Sequence, residues 1–398
     1  MSVVWEVEAL LRVPRTYPAP GFEAEGVEAL FYDALPWCGQ PTRVFAWVGI
    51  PDAPSGEKCP GIVLVHGGGG TAFHDWLRFW TSRGYAAIAM DLCGCVPESA
   101  PIPPGGQRPR HEHGGPPGWD ASFKQIDEPI EDQWPYQAVA DIALAQSLLG
   151  AYPQVDANRI GLTGVSWGGY LTCIAAGVDS RFRFAIPVYG CGFLGDNSIF
   201  KPPLEALLGP ERMRRWLDLW DPSVYLPNAK MPMLWVNGTN DFAYPLDSFQ
   251  KSYRLPPGER TLSIQVEMPH GHPPGQTPHE IRVFADSYLL ASPPLPRITG
   301  QGVEGRRIWA NFSSEVPVTK AELAYTRALG YWEDRKWHTN EARLDRQSCR
   351  VEADIPPETT VCYLNLIDDR GCVVSAEHVE MWGWDARDGA EAFLGPDS

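Results

Sequence analysis

Ser166 stands in Gly164-Val165-Ser166-Trp167-Gly168, a G-x-S-x-G arrangement, where the run Arg159-Ile160-Gly161-Leu162-Thr163-Gly164 gives way to a helix-like segment. A serine on a strand-to-helix turn has a defined chemistry. The small flanking residues allow strained backbone angles, and the hydroxyl projects above the sheet with a helix N-terminus beneath it. At neutral pH a hydroxyl is a poor nucleophile and needs a base, ordinarily a histidine oriented by a carboxylate. Asp241 follows the buried-strand pattern Leu234-Trp235-Val236, and His270 and His272 follow the next one, Leu262 to Met268. The acid and base therefore come after the serine, each at the end of a later strand. Counting from Met268, the span needed to swing a ring back over the sheet edge favours His272 over His270 as the base. Both stay candidates.

An acyl-transfer intermediate also needs donors for its oxyanion. The backbone N–H of Trp167, directly after the serine, is one. Gly67 to Gly70, after the apolar strand ending at Val65, bring bare backbone close to a substrate, so Gly68 or Gly69 is the expected second donor. No Lys-Ser/Thr follows these glycines, so they are not a phosphate-binding P-loop. Cys93 and Cys95 form a C-x-C pair without a second pair at zinc-ligand spacing, and His270-Gly271-His272 lacks a completing cluster. No metal and no cofactor are expected.

The elements that must carry these residues alternate. Gly61 to Val65, Ala86 to Met90, Arg159 to Gly164, Phe184 to Tyr189, Met233 to Val236 and Leu262 to Met268 read as short buried strands. Helix-like segments lie at His74 to Ser82, Trp134 to Leu149, Gly168 to Ala176, Ser248 to Tyr253 and Glu280 to Leu290. That order predicts an α/β fold with a mainly parallel central sheet and helices on both faces. Residues 194–230, with a helical piece around Glu211 to Leu219, read as a short cap insertion. The Pro/Gly-rich stretch from Pro97 to Gly118 reads as a surface loop, so no role is assigned to His111, His113 or Trp119. Beyond Ser292-Pro293-Pro294-Leu295-Pro296 only short strands follow. The expected division is 1–296 as the catalytic domain and 297–398 as a small β-sandwich, whose Trp332, Trp337, Trp382 and Trp384 read mainly as core.

A chain of 398 residues, 44% hydrophobic and 11% aromatic, can fill such a core. Its net charge of −16, with no basic run, disfavours nucleic acid and anionic membranes. Without a spanning stretch or a secretory leader pattern it reads as cytoplasmic, and its nine cysteines as reduced, buried thiols. Self-association is left open.

With these residues in place the chain resembles the α/β-hydrolase superfamily, in the branch of acetyl xylan esterases, dienelactone hydrolases and prolyl oligopeptidase catalytic domains. The resemblance covers about residues 25–291. Gly164-Val165-Ser166-Trp167-Gly168-Gly169-Tyr170 is similar to that branch's nucleophile motif, and Gly238-Thr239-Asn240-Asp241 with Pro245 to its acid loop. Dienelactone hydrolases carry cysteine where this chain has Ser166. The resemblance implies a serine carboxylic ester hydrolase for short acyl groups, acetyl foremost, on a small-molecule or carbohydrate alcohol. A prolyl oligopeptidase-type peptidase is the alternative, though too few residues precede Gly61 to build a propeller. A non-catalytic binding protein on the same scaffold is the third reading.

Overall fold

The computed structural model describes residues 5–52, 56–97 and 108–381. Nine strands form the main sheet: β1 (Thr16–Pro18), β2 (Glu28–Asp33), β3 (Arg43–Gly49), β4 (Cys59–Val65), β5 (Ala86–Met90), β6 (Val155–Val165), β7 (Ala185–Val188), β8 (Met233–Gly238) and β9 (Arg260–Gln265). Their spatial order is β1-β2-β3-β5-β4-β6-β7-β8-β9. The first three are antiparallel to their neighbours, while β4 to β9 run parallel. Every residue of β4, β5 and β7 is buried, as their uninterrupted apolar runs require.

From β4 the chain crosses to β5 on one side of the sheet, and from β6 to β7 on the other. Right-handed crossovers therefore put helix His74–Thr81 and helix Trp167–Val178 on opposite faces. Between β4 and β6 the winding reverses, and the carboxyl ends of strands flanking such a reversal form a crevice. The glycine loop and Ser166 both lie there. Helix Trp134–Ala151 packs against β4, β5 and β6 and is buried nearly all round, including Ala138, Ala140, Ala143 and Ala145.

The cap region is more helical than its sequence indicates. Two helical segments spanning Lys201–Trp220 replace the piece expected at Glu211 to Leu219, separated at Gly209, whose φ of +68° and ψ of 173° are not helical, before Pro210. Gly209-Pro210 is that break, and proline suits the first turn of the second segment.

From Arg297 two antiparallel sheets follow. The strands are β10 (Arg297–Glu304), β11 (Arg307–Ser313), β12 (Val318–Thr326), β13 (Trp337–Glu341), β14 (Arg343–Asp345), β15 (Arg350–Asp354), β16 (Val361–Asp368), β17 (Val373–Ser375) and β18 (Val379–Glu380). The orders are β10-β11-β15-β14 and β13-β12-β16-β17, with β18 also on β16. Alternate residues of β16 serve two cores. Cys362, Leu364 and Leu366 meet Ile308, Ala310 and Val351 inside the sandwich, whereas Val361 and Tyr363 join the core of the main sheet. Tyr363 Oη donates to the Ile264 carbonyl at 3.2 Å, and Ser375 Oγ accepts the Ile264 N–H at 2.8 Å. The sandwich thereby covers the β9 edge.

Trp332 and Trp337 are buried, but in the core shared with the main sheet rather than inside the sandwich, and Trp382 and Trp384 lie outside the described residues. All nine cysteines are free; seven are buried, but Cys38 is exposed and Cys349 partly so. Among the described residues no helix is long and apolar enough to cross a membrane.

Candidate active site

Ser166 follows β6 with φ +60° and ψ −121°, a conformation that side chains avoid. Close packing enforces it. A Cβ on Gly164 would lie 2.2 Å from the Gly168 carbonyl oxygen, and one on Gly168 would lie 2.1 Å from the Val65 carbonyl oxygen. The Ser166 N–H donates to Val188 at 2.8 Å, which ties the turn to β7.

The hydroxyl of Ser166 is 2.9 Å from His270 Nε2, and His270 Nδ1 is 2.6 Å from Asp241 Oδ2. Asp241 Oδ1 accepts the N–H groups of Ala243 and Tyr244 at 2.9 and 2.7 Å, so the carboxylate is held from both sides. His270, rather than the favoured His272, is therefore the residue on Ser166. The ladder of β9 ends at Gln265, not Met268, and Glu267 at φ +54° turns the chain sharply. That earlier exit supplies the reach that the count from Met268 withheld from His270. Tyr189, which no motif marks, supports the ring. Its ring lies 4.6 Å from that of His270, tilted by 30°, and its hydroxyl donates to the Pro269 carbonyl at 2.7 Å.

His272 has a different place. Its Nε2 accepts the Gly67 N–H at 2.8 Å, its Nδ1 lies 3.0 Å from the Gln276 amide, and Phe73 and Trp76 pack on its ring. Burial, reinforced by the charges of His66 and His270, lowers its pKa to about 3, so it is neutral at ordinary pH. Gly67 is thus committed to His272. A Cβ on Gly68 would strike Trp119 and Trp167, whereas one on Gly69 would meet nothing within 4 Å. Of the two predicted donors, Gly68 is the one enclosed beside the serine; Gly69 is exposed. Among the described residues the N–H groups of Gly68 and Trp167 have no backbone acceptor.

The assignment of Trp119 to an exposed loop is overturned. Its indole stacks on Trp167 at 5.0 Å and 17°, and Phe200 meets both rings edge-on. Only the fold-back of the preceding loop brings it there, and no local pattern encodes that. In the same loop Arg108 reaches buried Asp91 at 2.7 Å, while His111 lies against Phe31.

His66, Asp91 and Cys93 approach one another closely enough to hold a metal ion. Protein groups already engage the ligand atoms of His66 and Asp91. His66 Nε2 accepts the Leu92 N–H and Nδ1 donates to the Gly67 carbonyl, and burial lowers its pKa to about 4. Asp91 accepts from Cys93, Cys95, Thr71 and Arg108. The cluster is a hydrogen-bonded brace beneath the glycine loop.

A doubly wound sheet bearing serine, acid and histidine in this order is that of a serine hydrolase with the α/β-hydrolase fold. The acetyl xylan esterase (AXE1) family model matches residues 21–198, and the prolyl oligopeptidase family model matches residues 124–289, each less than half of the chain. The acetyl xylan esterase from Paenibacillus sp. R4 is similar in structure, with a TM-score of 0.55 and 23% identity over 71% of this chain and 92% of that one. In sequence, the uncharacterized peptidase YuxL of Bacillus subtilis (strain 168) is 24% identical over 222 residues, 53% of this chain and 30% of that protein. Dipeptidyl-peptidase 5 of Porphyromonas gingivalis is 25% identical over 227 residues, 50% and 28% respectively. The chain spans less than a third of the length of these two curated relatives.

Proposed function

We propose that the protein is a serine carboxylic ester hydrolase that cleaves short-chain acyl esters, acetyl foremost, of a small-molecule or carbohydrate alcohol. The observation that carries this reading is the Ser166–His270–Asp241 relay at 2.9 and 2.6 Å. Ser166 Oγ attacks the ester carbonyl as His270 Nε2 takes its proton. Asp241 orients the ring and stabilises the imidazolium. The N–H groups of Gly68 and Trp167 receive the oxyanion, each worth about 10²- to 10³-fold in rate. His270 returns the proton to the departing alcohol. Water, activated by the same histidine, then releases the acyl group from Ser166.

Trp119, Trp167 and Phe200 favour a small acyl group, because they fill the space beside Gly68 with aromatic carbon. The match of residues 21–198 to the acetyl xylan esterase model supports an acetyl ester. A peptidase is the second reading, because the prolyl oligopeptidase match at 124–289 takes in all three triad residues and both curated relatives bear peptidase names.

The test is hydrolysis of p-nitrophenyl acetate, butyrate and octanoate beside an aminoacyl p-nitroanilide, by the wild type and by Ser166→Ala. Acetate is expected to turn over fastest, with a loss of at least about 10³-fold in the variant. Cleavage of the anilide alone would replace the esterase reading with the peptidase one, and an unimpaired variant would remove Ser166 as nucleophile.

A further inference from the structure

The mechanism so far uses no residue beyond the His272 loop, and neither family match extends past residue 289. Yet the C-terminal sandwich reaches the triad. Asn240 directly precedes Asp241, and its Nδ2 lies 2.6 Å from the Arg335 carbonyl, 3.0 Å from that of Glu333 and 3.4 Å from that of Trp332. Its Oδ1 accepts from Thr239 Oγ at 2.8 Å, and Thr239 Oγ in turn accepts the Glu267 N–H at 2.9 Å. This fixes the amide's direction, since a reversed amide would turn its oxygen toward three carbonyls.

The receiving loop is itself braced. Arg335 is buried, stacks 3.7 Å over the Trp332 ring and donates to the Gly330 carbonyl, and Trp332 packs against His378. One amide therefore joins three segments: the acid's loop, the turn at Glu267 that delivers His270, and the sandwich loop 332–335. Phe242, inside the acid's loop, is 43% exposed with its ring 4.8 Å from that of His270, while Asp241, Ala243 and Tyr244 beside it are buried.

We propose that the C-terminal sandwich completes the catalytic site, with Asn240 as the positioning residue through which it holds Asp241 and His270 in register. The inference rests on the reading of Ser166 as the nucleophile of a hydrolase. Its physical basis is that a misplacement of about 1 Å in a catalytic group can cost about 10² in rate, so a loop bearing the acid needs an external anchor.

The experiment uses the full chain. In Asn240→Ala, kcat for p-nitrophenyl acetate is expected to fall about ten- to a hundredfold with KM within about twofold of wild type, the signature of lost transition-state geometry rather than lost binding. Glu377→Gln, which weakens the ion pairs to Arg254 and Arg260 elsewhere in the same interface, is expected to lower Tm while keeping kcat. The proposal is overturned if Asn240→Ala keeps its kcat, or if both variants lose kcat in proportion to their loss of Tm. Should the alanine variant not fold, Asn240→Ser gives the same comparison. Ser166→Ala in the same assay separates the two levels. If it stays active, the hydrolase reading falls; if it is inactive while Asn240→Ala is fully active, only this inference does.

Discussion

His270 and His272 are two residues apart and have separate tasks, which kinetics can tell apart. His270→Ala removes the group on Ser166 and is expected to lower kcat by about 10³-fold or more. His272→Ala leaves the triad intact and frees the Gly67 N–H and the Gln276 amide. Its loss is expected to stay within the roughly 10²- to 10³-fold that one oxyanion donor is worth. A His272 variant more damaged than the His270 variant would refute the geometry. Buried neutral histidines also couple stability to acid. His66 and His272 have folded pKa values of about 4 and 3, below the ordinary 6.5, so the unfolded chain binds the extra protons. Their contribution is complete above about pH 6.5 and is lost as the pH falls toward 3 to 4, at up to about 1.4 kcal/mol per pH unit for each histidine. Denaturant midpoints measured from pH 7 down to pH 4 should therefore decline, and less steeply in His272→Gln. An unchanged slope in that variant would mean His272 is not held neutral by the fold.

At the scale of elements, what the sequence made legible follows from burial. The apolar runs ending at Val65, Gly164 and Val236 could be read as strands because strands covered on both faces have no polar alternation, and the triad's chain order followed from their ends. Strands β10, β13 and β14 gave no such signal. In β10, Gly300 and Gly302 weaken the strand pattern, while a Cβ on Gly302 would lie 3.0 Å from the Trp309 ring, which crowds any side chain there. Most of β13 and β14 is exposed, so nothing apolar marked them. The base was misjudged by where one strand ends, and Trp119 by a loop whose return is a tertiary event. The turn at Ser166 is the element whose packing is least forgiving. In Gly168→Ala the new methyl would overlap two backbone oxygens, those of Val65 and His66, neither of which can rotate away. A destabilisation of about 3 kcal/mol and a fall in kcat are expected, because relief of the clash must move either the serine turn or the glycine loop. A variant with wild-type Tm and kcat would show that the turn tolerates more space than the packing implies.

At the scale of the whole molecule the question is whether the sandwich is a separable appendage. Its sheet contributes Val361, Tyr363, Trp337 and Val374 to the same continuous core as the main sheet. It also supplies hydrogen-bond partners to the edge groups of Ile264, through Ser375 and Tyr363. Arg370 donates to the carbonyls of Pro293 and Pro294, and Glu280 accepts the Val373 N–H, so the connection is fastened on both sides of the junction. Removing residues 297–398 would leave β9 as an open edge strand beside newly exposed apolar side chains, the arrangement most prone to pair with another copy. The truncated chain is therefore expected to be insoluble or to elute as aggregate in size-exclusion chromatography, where the full chain gives a discrete species. A soluble, discrete truncated form would show that the hydrolase sheet closes its own core. The shared core predicts the opposite: each half folds only against the other, and one cooperative thermal transition, not two, should be seen for the intact protein.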